Sequence, residues 1–167
     1  MAIGSLVHTS TVLLRRERFE RVKAFNEAFR PSGEDFDFHL RTCHAGPVGF
    51  ADLPTIEYQM GMPDRLTRRE YHLEIAQNFF RTIDPFIRLH RDDIHQPDSV
   101  LDGVLAEAHA WIGEEHFWRN QMPQARRHLA TSLRHGPGQR RAWQLLAASW
   151  LPFSWVAAKR LAAADSR

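Results

Sequence analysis

Residues Ile112–Pro137 read IGEEHFWRNQMPQARRHLATSLRHGP, and their pattern decides how this part of the chain folds. Ile112-Gly113 sets a large apolar residue beside the smallest one. Ala125 and Ser132 are small, Leu129 between them is large and apolar, and Gly136-Pro137 punctuates the end. Small residues on one helix and a glycine on the other allow two antiparallel helices to approach closely. The pattern restarts 34 residues on, with Trp143, Leu146-Ala147 and Trp150. Such a period marks an internal repeat of helix pairs.

The spacing resembles the tetratricopeptide unit. Ile112-Gly113 takes the place of its leucine-glycine pair on the first helix. Ala125, Leu129 and Ser132 take the small, large and small positions of the second helix, and Pro137 takes the closing proline. His109 and His116 stand where that unit carries aromatic residues. The second round places Trp143 and Trp150 on those aromatic positions, then fails, with Lys159 on a small position and Pro152 interrupting. The resemblance implies one repeat and a half, its end acting as a cap. Stacked repeats need about three units, so these helices require support from elsewhere.

Outward from this stretch, the composition sets limits. The chain has 167 residues, 43% hydrophobic and 25% charged, enough for one sizeable core and at most a small second one. Its 11 Phe, 5 Trp and 2 Tyr are too many for a disordered tail. Cys43 is the single cysteine, which excludes a disulfide framework, leaves a zinc cluster without its usual thiolates and fits a reducing, cytoplasmic setting. The net charge of +2 hides an asymmetry: residues 119–167 hold nine basic side chains against Asp165 alone, while residues 61–118 hold eleven acids against six bases. The basic end suits an acidic partner or an anionic surface. Lys23 and Lys159 are the only lysines beside 20 arginines, a balance typical of a GC-rich bacterial genome.

No basic leader precedes Leu14, so export by a secretory signal is not expected. Ala142–Ala158 is uncharged, but Pro152, Gln144, Ser149 and Ser154 interrupt it and it falls short of the ~20 apolar residues of a membrane span.

Residue pattern then divides the chain into 1–66, 67–98 and 99–167. Ser5–Leu14, rich in Val, Thr and Leu, predicts a buried strand. Arg15–Phe25 predicts a short helix through Phe19, Val22 and Phe25. Ser32 with Asp35 three residues later suggests a capping box for a second helix starting at Gly33 and carrying Phe36, Leu40 and Cys43, stopped by Gly46-Pro47. Val48–Leu53 and Thr55–Met60 read as two short strands around Pro54. Thr67–His90 predicts a long helix, bent at Pro85, with Leu73, Ile75, Ala76, Phe79, Phe80, Ile83 and Ile87 as its apolar residues. The polar run His90–Ser99 reads as an exposed linker and domain boundary.

Three ordered pieces of the first segment, Val7–Arg16, Phe25-Asn26-Glu27 and Ser32–Arg41, resemble the second half of the catalytic domain of inverting, family 2 nucleotide-sugar glycosyltransferases. In that family they are a sheet strand ending in Arg, a glycine-rich turn, and an acidic segment that opens a helix under the acceptor site. Lys23-Ala24 and Asn26 depart from the family's turn. The resemblance implies an α+β, mainly helical fold: a partial GT-A-like α/β half-domain with few strands, then the helical tetratricopeptide-like region. It also implies that Asp35 is the base that takes the acceptor hydroxyl's proton, with Glu34 orienting it. A carboxylate at a helix N-terminus is held ionised and fixed in direction, which suits that role. The bland reading is that Glu34, Asp35 and Asp37 are first-turn acids favoured by the same dipole.

By the same resemblance, the nucleotide-binding half and its metal-holding Asp-x-Asp precede the strand with which this chain begins. Asp35-Phe36-Asp37 spells that motif inside a helix, where the two carboxylates do not converge on one ion, so no metal site is assigned to it. The expected function is a non-processive sugar-transferase fragment, inactive alone. The full-length enzyme would use Mg²⁺ or Mn²⁺ and a nucleotide sugar, and its partners would be an acceptor glycan or lipid and the nucleotide-binding half supplied in trans. The alternative, from another class, is a helical module whose basic end, with Trp143, Trp150 and Trp155 near Arg140, Arg141, Lys159 and Arg160, docks on a protein partner or a membrane surface, the latter placing it peripherally at the inner membrane face.

Other side-chain groups read as structural. His39, Cys43 and His44 have no fourth zinc ligand at suitable spacing, and a buried thiol beside an imidazole packs well. Asp92, Asp93 and His95 read as solvated polar residues of the linker. His109 and His116, seven apart on one helix face, read as packing or surface residues. Arg126, Arg127, Arg134, Arg140 and Arg141 lack interleaved exposed aromatics and any nucleic-acid motif, so nucleic acid is not an expected partner.

Overall fold

The computed structural model describes residues 7–29, 32–57 and 69–154, and the chain divides into two compact units, Met1–Gln96 and Pro97–Arg167. The first contains α1 (Arg16–Val22), α2 (Glu34–His44) and α3 (His72–Leu89), with 3₁₀ turns at Thr9–Thr11, Arg69–Tyr71 and Arg91–Asp93. The second contains α4 (Asp98–Trp118), α5 (Met122–His135) and α6 (Arg140–Ala148).

In the first unit α2 is the organising helix. It opens after Gly33, whose φ of +109° lies where side chains are disfavoured and where an added Cβ would come within 3.0 Å of Asn78 Cβ on α3. Asn78 Nδ2 donates to the Ser32 carbonyl at 2.8 Å. Glu34, Asp35 and Asp37 occupy the first turn and Arg41 and His44 the last, each charge matching the helix dipole. Phe36 and Phe38, both buried, lie two apart and pack in different directions: Phe36 meets Phe79 of α3 at 4.9 Å, while Phe38 meets Phe19 of α1 at 5.9 Å and Phe25 at 4.4 Å. Arg41 ties the end of α1 down, donating to Asp37 at 2.6 Å, to the Ala24 carbonyl at 3.2 Å and to the Val22 carbonyl. Helix α3 buries Ala76, Ile83 and Ile87 and holds Pro85 within its span.

The strands expected here are not formed. Among the described residues no strand occurs, and the fold is all-helical, not α+β. Residues 7–14 of the expected Ser5–Leu14 strand hold a 3₁₀ turn with Leu13 99% exposed, Ser5 and Leu6 lying outside the described residues. Val and Thr favour strands only where a neighbouring strand completes the ladder, and here Thr11 Oγ1 instead donates to the His8 carbonyl at 2.7 Å, a local bond that competes with pairing. Val48–Leu53 runs without regular structure, with Phe50 89% exposed, and so does 55–57; residues 58–60 lie outside the described residues. The GT-A-like α/β half-domain implied by the resemblance to family 2 glycosyltransferases is therefore absent from the described residues, and the resemblance does not stand. The capping box is also not made: Gly33 is the N-cap, with no side-chain hydrogen bond.

The second unit is an antiparallel pair, α4 and α5, with α6 laid on it. Ile112, Gly113, Ala125, Leu129 and Ser132 are all buried. A Cβ on Gly113 would fall 2.8 Å from Leu129 Cγ and 3.1 Å from the Leu129 backbone nitrogen, so the two helices touch at this point. The core comprises Phe117, Ala125, Leu129, Leu133, Ala142 and Leu145. Ser132 Oγ, buried among them, donates to Gln139 Oε1 at 3.1 Å. In α6 the register differs from the one that the repeat implies. Ala142 and Leu145 of α6, with Ser149 just past its end, face inward, while Trp143 and Trp150 are 53% and 71% exposed. No helix of the described residues is long and apolar enough to cross a membrane.

Candidate functional site

Asp35 and Glu34 stand in the first turn of α2, as the sequence places them, but with no sheet edge beside them among the described residues. Asp35 Oδ1 accepts the backbone N–H of Phe36 at 2.7 Å. Glu34 Oε2 is buried with no hydrogen-bond partner among the described residues. His39, one turn below Asp35, is buried, its Nε2 3.1 Å from Thr9 Oγ1. Burial lowers the His39 pKa from its ordinary value, opposed by the Asp35 charge. Asp35 thus bonds within the first turn of α2, while Glu34 makes no such bond through its buried Oε2 among the described residues.

The other groups singled out in the sequence regroup. His39 and Cys43 gather no ligand set among the described residues, and burial raises the Cys43 thiol above its ordinary pKa, as expected of an inert packed cysteine. His44 instead meets Asp93, Nε2 to Oδ2 at 2.9 Å. That hydrogen bond is the first cause holding the Asp93 carboxyl below its ordinary pKa, with the nearby charges of His44, His90 and His95 acting the same way.

In the second unit four histidines line the α4–α5 seam. His109 Nδ1 and His128 Nδ1 are 3.0 Å apart, so one ring must accept from the other and the two cannot both be imidazolium. His116 stacks on His128 at 5.8 Å and bonds Gln121 Oε1 at 2.6 Å, and His135 stacks on His109 at 6.1 Å and meets Asp102 at 2.9 Å. Burial first, then the charges of His109, His116 and Arg127, lowers His128 to a pKa of about 4. Sequence reading found His109 and His116 but missed His128 and His135. The signal was present: both pairs repeat at seven residues, two turns apart, on helices that face each other.

The surface of α6 offers the most distinctive chemistry. Trp143 and Ala147 of α6 are exposed, and so is Trp150, two residues past its end. Trp143 Nε1 donates to the Pro137 carbonyl at 2.9 Å, which fixes the indole while half of it faces solvent. Arg126 of α5 lies over the Trp150 ring, 3.7 Å from its centroid, and its guanidinium also donates to Ser149 Oγ at 3.1 Å and to the Ser149 carbonyl. Arg141 pairs with Glu114 at 2.6 Å. No ion pair engages Arg127, Arg134 or Arg140 among the described residues, leaving three guanidiniums for an outside anion. Trp155, Lys159 and Arg160 lie outside the described residues. No family model, curated protein or solved structure matches this chain.

Proposed function

We propose that residues 97–154 are a protein-binding module that docks an acidic segment of a partner on the Trp143–Trp150 face of α6. The single observation that carries this reading is the pair of exposed indoles locked in place by Pro137 and Arg126. An exposed Trp contributes large apolar area on binding, and one already held in a single orientation loses little conformational freedom when it binds. The charge of α5 and α6 selects the partner: residues 119–154 hold six arginines and no Asp or Glu, the acids of residues 97–154 lying on α4, so a segment carrying Asp and Glu is attracted to this side and a basic one repelled.

A protein partner suits this surface better than a bilayer. An interface-lying helix needs its apolar face free for lipid, whereas Ala142 and Leu145 of α6 are buried within the unit. What α6 and the turn after it leave outside is two separate indoles, one of them beneath the Arg126 guanidinium.

The test uses the full chain, short synthetic peptides rich in Asp and Glu with one Leu or Phe, neutral versions of the same peptides, and phosphatidylserine vesicles. Tryptophan fluorescence is expected to report binding of acidic peptides that weakens with salt and is lost in W143A/W150A. Equal binding of neutral peptides, or none of either, overturns the reading. Vesicle co-sedimentation abolished by the same substitutions would assign the face to a membrane and overturn it too.

A further inference from the structure

Two helices of the first unit end at one place. His44 is the last residue of α2, His90 is the C-cap of α3, and Asp93 closes the 3₁₀ turn Arg91–Asp93. His44 Nε2 lies 2.9 Å and His90 Nδ1 3.9 Å from Asp93 Oδ2, and all three ligand atoms fall within 4.8 Å of one another. Donors at zinc-ligand distance on a tetrahedron are about 3.3 Å apart. The observed separations bracket that value, and small side-chain rotations would bring the three donors onto a shared ion.

The surroundings hold this arrangement and favour a cation. The Phe86 ring supports both imidazoles, His44 edge-on at 5.5 Å and His90 at 4.8 Å, and the imidazoles lie 4.1 Å from each other. Arg91 donates to the carbonyls of Ile94 at 2.9 Å and Gln96 at 3.1 Å, pinning the turn that carries Asp93. The C-terminal ends of α2 and α3 present their negative dipole ends here, which stabilises positive charge. Neither His44 nor Asp93 is buried, so an ion has a way in and room to keep water. Two imidazoles with one carboxylate suit zinc and similar borderline metals, while Ca²⁺ and Mg²⁺ require oxygen donors.

We infer that His44, His90 and Asp93 bind a divalent metal ion of the zinc class, with at least one coordination position left to water. The site lies in the first unit and is independent of the Trp143–Trp150 face.

The experiment titrates the full metal-free chain with Zn²⁺ by calorimetry and with Co²⁺ by visible absorption, which reports coordination geometry. One saturable ion per chain is expected, with the absorption of a low-coordinate nitrogen and oxygen site. His44→Ala, His90→Ala and Asp93→Asn should each weaken binding at least tenfold, since losing even an outer-shell partner costs roughly 10- to 100-fold. Asp93→Asn is close in shape and exposed, so unchanged circular dichroism in that variant guards against misfolding. His109→Ala/His128→Ala should leave the binding intact. Absence of saturable binding, or binding lost in the His109/His128 variant and untouched by the other three, overturns the inference.

Discussion

Gly113 shows how one residue sets the distance between two helices. Its missing side chain is where Leu129 sits, and Leu129 is fully buried and cannot give way. Gly113→Ala is therefore expected to destabilise the second unit by about 1–3 kcal/mol, the usual cost of overpacking, despite alanine's better helix propensity. Denaturant unfolding measures it; an unchanged midpoint would show that α4 and α5 are not in contact there. His128 supplies a second residue-scale test. Its imidazole takes up a proton at 6.5 in an unfolded chain but only at about 4 when folded. Between those values the unfolded state binds more protons, so stability is complete above pH 6.5 and declines as pH falls towards 4. His128→Gln should make that slope shallower in urea titrations run across the window, with a remainder from His39, whose burial acts in the same direction.

At the scale of elements, the end of α6 depends on a side chain from α5. Arg126 closes the last turn through Ser149 and covers Trp150. Arg126→Ala should cost about 1–3 kcal/mol, as expected when hydrogen bonds from a charged donor are lost, and should raise acrylamide quenching of tryptophan fluorescence. Unaltered quenching would mean that Trp150 is not held. The segment after α2 makes the opposite case. Gly46 to Glu57 has no regular secondary structure, and Phe50 and Leu53 face solvent. Brief chymotrypsin digestion should cut first at Phe50, ahead of Phe36 and Phe38 in α2, which mass spectrometry of the first fragments would establish. Elements were legible to different degrees for one reason. Phe36 and Leu40, or Ile83 and Ile87, announce a helix because its hydrogen bonds close within four residues. Val7 to Leu14 and Val48 to Leu53 have the composition of strands, but a strand exists only with a partner, and composition does not report whether one is near.

For the whole molecule, the division into two units carries its own expectation. Phe117, Leu129, Leu133 and Leu145 give α4–α6 a core of their own. Residues 97–167 expressed alone should show helical circular dichroism and a cooperative melt; a featureless, non-cooperative signal would count against an independent unit. The candidate sites were only partly visible at this level. Trp143, Trp150 and the arginines could be named from the chain, but the repeat spacing assigned those indoles to packing positions, and only the inward register of Ala142 and Leu145 left them outside. His44 and Asp93 each drew attention within their own neighbourhoods, and His90 drew none, because 46 residues separate His44 from His90 along the chain.

Sequence by itself marked the helical segments of α1, α2 and α3 and the α4–α5 pair, the close approach at Gly113, and the charge asymmetry that makes the C-terminal end basic. All three follow from neighbours within a few turns or from simple composition. Tertiary structure alone decided that no strand forms among the described residues, which face of α6 meets solvent, and that two imidazoles and a carboxylate from separate elements converge. Those outcomes depend on groups distant in the chain, whose meeting is set by packing.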